Sequence, residues 1–260
     1  MTETATPAEL RVEERGPALW LTIQRVERRN AMSHAVLAGM AQAIDAAQAN
    51  RSLRAIVVTG AGAKGLGAGA DLQSAQAFTT DYSEPYAPLA LLLRRAKASN
   101  LPLIARVNGA CMAGGMGLLA MCDLAVAASH AVFGLPEVKV GVFPAQVLSV
   151  LQHLVPRRKL AELFLTGEPI TAAQALDYGL VNYVDDDVDA KLDWLLQRLL
   201  DKSPAAIRRG LYTMKKIESM GFEESVAFTE SQIALFTLTD DAKEGQQAFQ
   251  QKRKPEWKGS

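Results

Sequence analysis

The chain has 260 residues, with 28 Lys and Arg balanced by 28 Asp and Glu, and 49% of its residues are hydrophobic. That length suits one large domain, or one domain with a small appendage, and that apolar content can bury a sizeable core. Zero net charge, with no basic stripe interleaved with aromatics, excludes a general attraction to nucleic acid or to an anionic membrane surface.

Residues 1–16 are polar and carry little apolar pattern, and the opening MTETATPAEL has neither the basic start nor the apolar run of a signal peptide. ALWLTIQ, Ala18 to Gln24, alternates enough to be a strand. After the loop ERRNAM, Ser33 can cap a helix running to about Asn50, with Val36, Leu37, Met40, Ile44 and Ala47 on one face. RAIVVTG is a second strand, too apolar for an exposed sheet face, and it ends in a glycine-rich loop. Gln73 to Pro88 is polar and poorly patterned, which reads as a mobile segment, and a helix is expected from about Leu89 to Ser99.

LPLIARVNG gives a third strand, GGMGLLAMC the start of a buried helix, DLAVAA a fourth strand, and FGLPEVKVGVFP an extended stretch. Beyond Pro144 the pattern turns helical, through AQVLSVLQHLV, RRKLAELFLTG, TAAQALDYGLV, DAKLDWLLQRLLDK, SPAAIRRGLYTMKKI and a last run from Thr239. Thr171 and Ser203-Pro204 are helix starts, and Gly179 a helix stop. Leu101 to Ala128 is the most apolar long stretch, but Arg106, Asn108, four glycines and Asp123 interrupt it, so it reads as core and not as a membrane span. Cys111 and Cys122 lack metal-ligand spacing and read as buried free thiols. With only three scattered histidines no metal site is expected, and a cytoplasmic location follows from the same features.

The glycine loop, IVVTGAGAKGLGAGADL, admits three readings. Gly60-x-Gly62-x-x-Gly65 has the spacing of a dinucleotide-binding fingerprint, with Asp81 downstream for a ribose contact. That reading needs a helix to open directly after the strand, whereas glycines continue through Gly67 and Gly69. A Walker A loop is excluded because Gly65 follows Lys64, and a plain long turn remains open. The third reading is that small residues bring backbone N–H groups close to a ligand. NGACMAGGMGL repeats the theme after another strand, with Gly114 and Gly115 entering a helix whose first N–H groups are free. Two such loops supplying one N–H each would make an oxyanion hole.

At these residues the sequence resembles the crotonase superfamily, also called the enoyl-CoA hydratase/isomerase family. RRNAM, GAGADL, VNGACMAGGMGLLAMCDLAVAA, FGLPEVKVG, LTGEPITAAQALDYGLVNYV and FQQKRKPEW each look like a family segment, so the likeness runs from about residue 10 to 258. It implies an α/β fold: a spiral of ββα units over residues 1–200, then a helical oligomerisation region over 201–260. The implied assembly is a homotrimer or a dimer of trimers. The implied ligand is an acyl-CoA thioester, with no separate cofactor, no metal, no nucleic acid and no membrane partner. Carried over by position, Ala70 and Gly114 supply the oxyanion N–H groups, and Glu137 is the acid/base carboxylate. Ala68, Ala70, Asp71, Leu72 and Gln73 line the substrate channel. Phe249 and Lys252 reach a neighbouring subunit's CoA, and Arg28 and Lys64 are further candidates for the CoA end.

One departure stands out. Hydratases of this family carry a second glutamate three residues beyond the second oxyanion glycine, where this chain has Gly117. Paired carboxylates would act as base and acid on the added water. One carboxylate and an oxyanion hole still suffice for hydration through Glu137 alone, for moving a double bond, or for decarboxylation through the enolate. A catalytically weak acyl-CoA binder and a Rossmann-type oxidoreductase are the readings from other classes. Asp71 beside Ala70 reads as a carboxylate that fixes its own loop. Serine-hydrolase chemistry lacks its GxSxG motif.

Overall fold

Strand β2 (Ala18–Ile23) shows how the sheet is made, in a computed structural model that describes residues 9–71 and 82–260. Successive side chains point to opposite faces. Ala18 and Trp20 enter one apolar cluster, and Leu19, Leu21 and Ile23 enter another. Strands β3 (Ala55–Gly60), β5 (Leu103–Val107) and β7 (Leu124–Ala128) divide in the same way, so the parallel part of this sheet is covered on both faces. Parallel strands buried on both sides read as continuous apolar runs, which is why the sequence marks them clearly.

With β1 (Leu10–Arg15) and β10 (Tyr183–Asp185) the large sheet has six strands, ordered β1-β2-β3-β5-β7-β10. Only β1 is antiparallel, pairing with β2 through a turn at Gly16. A second sheet, β4-β6-β8-β9, consists of β4 (Gly65–Gly67), β6 (Ala110–Met112), β8 (Val132–Gly134) and β9 (Ile170–Thr171).

The chain passes from a large-sheet strand to a small-sheet strand and then to a helix three times. The three helices are α2 (Pro88–Ala98), α3 (Gly114–Ala120) and α4 (Ala145–Leu151), after α1 (His34–Ala49) has been laid down. Ser33 caps α1, accepting the Val36 N–H at 3.2 Å, a bond worth about 1 kcal/mol. One apolar cluster lies between the large sheet, α1, α2 and the small sheet. The other lies between the sheet's opposite face and Val188, Leu192, Leu195 and Leu196.

Six helices follow: α5 (Arg157–Thr166), α6 (Ala172–Asp177), α7 (Val188–Leu200), α8 (Pro204–Ile217), α9 (Phe222–Thr237) and α10 (Asp240–Gln250). Thr171 closes a full capping box with Gln174, and α10 starts at its cap Thr239. Asp241 does more than complement the α10 dipole. Its buried carboxylate accepts from Ser203 Oγ (2.7 Å) and from the N–H groups of Ala205, Lys258 and Gly259 (3.2, 2.8 and 3.0 Å), tying the chain end to the start of α8. Those donors outweigh desolvation and hold the carboxyl below the usual aspartate range.

Four sequence expectations are corrected. The charged segment LRVEER forms β1, because pairing with β2 and not burial orders it. FGLPEVKVGVFP is not extended throughout: β8 gives way to a 3-10 turn over Pro136–Val140. The part after Pro144 is not wholly helical, since β9 and β10 return to the two sheets. Helix α9 has no counterpart in the sequence reading, because Gln232 is its single fully buried residue while Phe222 and Ile233 face outward. No helix among the described residues is long and apolar enough to cross a membrane.

At the β4–β6 junction two backbones come very close. A Cβ on Gly65 would overlap the Ala110 carbonyl oxygen, and Gly65 sits at φ 150°. Gly65→Ala is expected to cost at least about 2 kcal/mol of unfolding free energy, measured by urea denaturation, because neither flanking strand can retreat without losing its pairing.

Candidate active site

The strand β3 runs into β4 and not into a helix, so the opening glycines of the loop do not cradle a pyrophosphate. They serve packing. Asn30 Nδ2 donates to Ala61 O (3.0 Å) and Gly65 O (2.8 Å), while Asn108 Nδ2 donates to Gly60 O (2.8 Å) and to Gly62 O. Two asparagines thus satisfy the carbonyls of a turn that has little secondary structure of its own. Asp81, like Leu72 and Gln73, lies outside the described residues.

The later glycines do a different job. A Cβ on Gly115 would lie 2.5 Å from Gly67 O, and one on Gly69 would lie 2.7 Å from the Ala113 Cβ and 3.3 Å from the Gly114 nitrogen. The Ala70 nitrogen is 3.7 Å from the Cβ position of Gly114. The two glycine-rich loops therefore meet backbone to backbone, bringing the N–H groups of Ala70 and Gly114 into one neighbourhood. Gly114 opens α3, and Ala113 before it is held at φ 51°, an unusual conformation for a residue with a side chain. Neither N–H donates to an acceptor among the described residues. Ala70 is exposed and Ala68 half-buried, so this edge of the loop is open to a ligand.

Met32 links the loops to the turn before α1. Its N–H donates to Gly69 O (2.8 Å), its carbonyl accepts from Asp71 N–H (3.2 Å), and its Cε would meet a Cβ on Gly114 at 2.6 Å. Asp71 turns its buried carboxylate onto Arg25 Nη2 (2.7 Å) and Arg28 Nη1 (3.0 Å). Arg25 also bonds Glu9 (2.9 Å) and Ala31 O (2.6 Å). Losing one partner of such a buried pair costs about 3–5 kcal/mol, so the Asp71 side chain serves the loop. Arg28 is half-exposed, and Lys64 stands exposed beyond β3. Sequence reading missed the roles of Arg25, Asn30, Met32 and Asn108, of which only Asn108 adjoins a glycine-rich motif in the sequence.

Glu137 reaches the same neighbourhood through β8. Ala113 N–H donates to Gly134 O (2.9 Å), three residues before Glu137. The 3-10 turn over Pro136–Val140 ends at Gly141, whose positive φ lets Gly141 and Val142 fold back onto the Glu137 carbonyl. The carboxyl is half-buried, and its Oε2 is enclosed without a hydrogen-bond partner among the described residues. Desolvation raises its pKa above the ordinary glutamate value, opposed in part by a bond to its own backbone. A desolvated carboxyl with one oxygen unpartnered among the described residues, on a segment that the Ala113–Gly134 bond ties to the second glycine-rich loop, is suited to proton transfer at a polarised carbonyl.

Gly117, one turn along α3 from Gly114, faces Val147 and Leu89: a Cβ there would meet Val147 Cγ2 at 3.4 Å and Leu89 Cδ1 at 4.0 Å. The place the resemblance assigns to a second glutamate thus has apolar neighbours at ordinary contact distance. A cavity of about 660 Å³ opens at the far end of α3, among Leu93, Met121, Val150, His153 and Met214. It does not include Ala70, Gly114 or Glu137. No group of three or more His, Cys, Asp or Glu among the described residues is placed to hold a metal. Phe249 is 85% exposed at the end of α10, and Lys252, at φ 53° just beyond it, is also exposed.

Comparison with known proteins finds relatives along nearly the whole chain. Residues 14–260 match the family described as Enoyl-CoA hydratase/isomerase. The chain is 34% identical to the 2,3-dehydroadipyl-CoA hydratase of Escherichia coli strain K12, over 97% of this chain and 99% of that one. It is also 34% identical to the mevalonyl-coenzyme A hydratase sidH of Aspergillus fumigatus, over 93% and 92%. The crystal structure of an enoyl-CoA hydratase from Mycobacterium smegmatis superposes with a TM-score of 0.90 at 31% identity, covering 96% of this chain and 98% of that chain. The crotonase-like α/β spiral expected from the motifs is the fold observed. With near-complete coverage in sequence and structure, the chain belongs to the enoyl-CoA hydratase/isomerase family.

Proposed function

We propose that this chain adds water to a 2-enoyl-CoA thioester, with Ala70 and Gly114 holding the thioester oxygen and Glu137 moving the proton. The observation that carries the reading is Glu137 Oε2, enclosed and unpartnered among the described residues, on a segment that the Ala113–Gly134 bond ties to the loop bearing the Gly114 N–H. Glu137 takes a proton from water as the water oxygen bonds to C3. The displaced π electrons move through C2 and C1 onto the thioester oxygen, where the two N–H groups meet the enolate. The enolate then collapses and C2 takes the proton back from Glu137, giving a 3-hydroxyacyl-CoA. Each N–H donor contributes about 3–4 kcal/mol of transition-state stabilisation in such sites.

The relatives named as hydratases favour water addition. The apolar neighbours of Gly117 keep a second reading, double-bond isomerisation, because proton shuttling between carbons needs only one carboxylate. CoA enters as part of the substrate, and no further cofactor takes part. The working assembly is a homotrimer or a dimer of trimers. Phe222, Ile233, Leu238 and Phe249, each 65–85% exposed on the last helices and the turn between them, supply apolar area for it. In that assembly Phe249 and Lys252 reach a neighbouring subunit's CoA, the lysine toward phosphate.

Chromatography with mass spectrometry of 2-enoyl- and 3-enoyl-CoA esters incubated in deuterated water tests the reaction: a gain of one solvent water establishes hydration, and an isomeric product, with or without deuterium uptake, establishes the second reading. Glu137→Gln is expected to lower kcat by at least about a hundredfold while leaving CoA-ester binding intact, and unchanged turnover would remove Glu137 from the mechanism. Lys252→Ala is expected to raise KM for CoA esters but not for the matching pantetheine esters; an equal rise for both would refute a phosphate contact.

The raised Glu137 pKa also affects stability. A carboxyl with a folded pKa above its unfolded value contributes stability below about pH 4.5, and that contribution is lost as pH rises through the folded value. Relative to Glu137→Gln, the wild-type protein is therefore expected to lose stability over that window, read as the difference in urea midpoints at pH 4.5 and pH 8.

A further inference from the structure

We propose that Arg25 is a positioning residue for the oxyanion donor at Ala70, an inference that rests on the oxyanion reading above. The Ala70 N–H lies in a loop held by two backbone bonds to Met32, one on each side of it: Met32 N–H to Gly69 O (2.8 Å) and Asp71 N–H to Met32 O (3.2 Å). These bonds fix the two short segments to each other. Arg25 fixes both to the body of the protein.

Its guanidinium donates through Nη1 to Ala31 O (2.6 Å), one residue before Met32, and through Nη2 to Asp71 Oδ2 (2.7 Å), one residue after Ala70. The third nitrogen, Nε, faces Glu9 Oε1 at 2.9 Å. One planar group thus spans the two segments whose pairing sets where Ala70 points its N–H. The guanidinium and the Asp71 carboxylate are each only 7% exposed, and Arg28 Nη1 closes the cluster from the solvent side. Arg25 is itself anchored: its N–H donates to Asn30 Oδ1 (3.2 Å) and its carbonyl accepts from Asn30 N–H (2.8 Å). That reciprocal pair closes a turn in which Arg29 and Asn30 both have positive φ, at 54° and 56°.

The fork geometry is what a lysine cannot reproduce, since a point ammonium cannot hold two acceptors in one plane at fixed separation. Donor aim matters in an oxyanion hole, because the N–H must meet the position that the oxygen occupies in the transition state. Arg25 is buried and acts through Asp71 and Ala31.

The test uses the full-length chain with Arg25→Lys, and with the paired neutral variant Arg25→Gln/Asp71→Asn, which removes both charges together while shortening the side chain at position 25. The probe is 4-dimethylaminocinnamoyl-CoA, a push–pull ester whose absorbance moves to the red when its thioester carbonyl is polarised. We expect folded variants to lose at least about tenfold in kcat with KM changed by less than about twofold, and to show a smaller red shift than wild type. A folded variant with wild-type red shift and kcat overturns the positioning role while leaving the oxyanion reading in place. Absence of any red shift in the wild type overturns the oxyanion reading and this inference with it. Failure of both variants to fold assigns the cluster to stability alone and also overturns the proposal.

Discussion

The contact on which the rest of the site depends is between two stretches of bare backbone. Gly115 lies too close to the Gly67 carbonyl, and Gly69 too close to the Ala113 Cβ, for either glycine to carry a Cβ. Two N–H groups converge on one oxygen only if their chains approach closely, so the absence of side chains here is a geometric requirement. The pairing of β4 with β6, Gly65 opposite Ala110 and Gly67 opposite Cys111, sets the register of that approach. The second sheet is small and its strands are short, but it aligns the two loops. The large sheet, buried on both faces, supplies the rigidity behind it.

The same neighbourhood holds two carboxylates with opposite fates. Asp71 is buried against two arginines, and that pairing repays its desolvation by fixing the loop. Glu137 is half-buried, and its enclosed oxygen has no partner among the described residues, so desolvation raises its pKa. The difference lies in their surroundings and not in the residue type. A carboxyl that spends its charge on structure is a poor proton carrier. One whose charged form is disfavoured by desolvation is better suited to that work.

The sequence made the parallel strands and most helices legible, because burial on both faces or on one stripe leaves an unbroken signal in the residues. It could not show β4, β6 and β9, which are two or three residues long and carry no period. It could not show α9 either, since that helix leaves Phe222, Val226 and Ile233 exposed within one chain. Glycine spacing and the family-like segments picked out Ala70, Gly114 and Glu137. The arginine fork and the two asparagine clamps stayed hidden, since a basic turn at residues 25–30 gives no hint that its partners lie 30 to 46 residues away. Even the glycine loop divides in a way its spacing conceals: Gly60 and Gly65 pack, while Gly67 and Gly69 shape the site.

Gly117 carries the remaining argument. Substituting glycine for a long acid would by itself leave a void or admit water, yet the Val147 and Leu89 side chains come within contact range of a Cβ at that position. In the proposed reaction, an apolar wall one turn from Gly114 would lower the local polarity and strengthen the interaction between the Ala70 and Gly114 N–H groups and a developing negative charge. It also leaves the added water with one fewer polar partner, so the orientation of that water falls to Glu137. In the proposed reaction the missing carboxylate is therefore exchanged for a drier site, in which the same oxygen of Glu137 both removes and returns the proton.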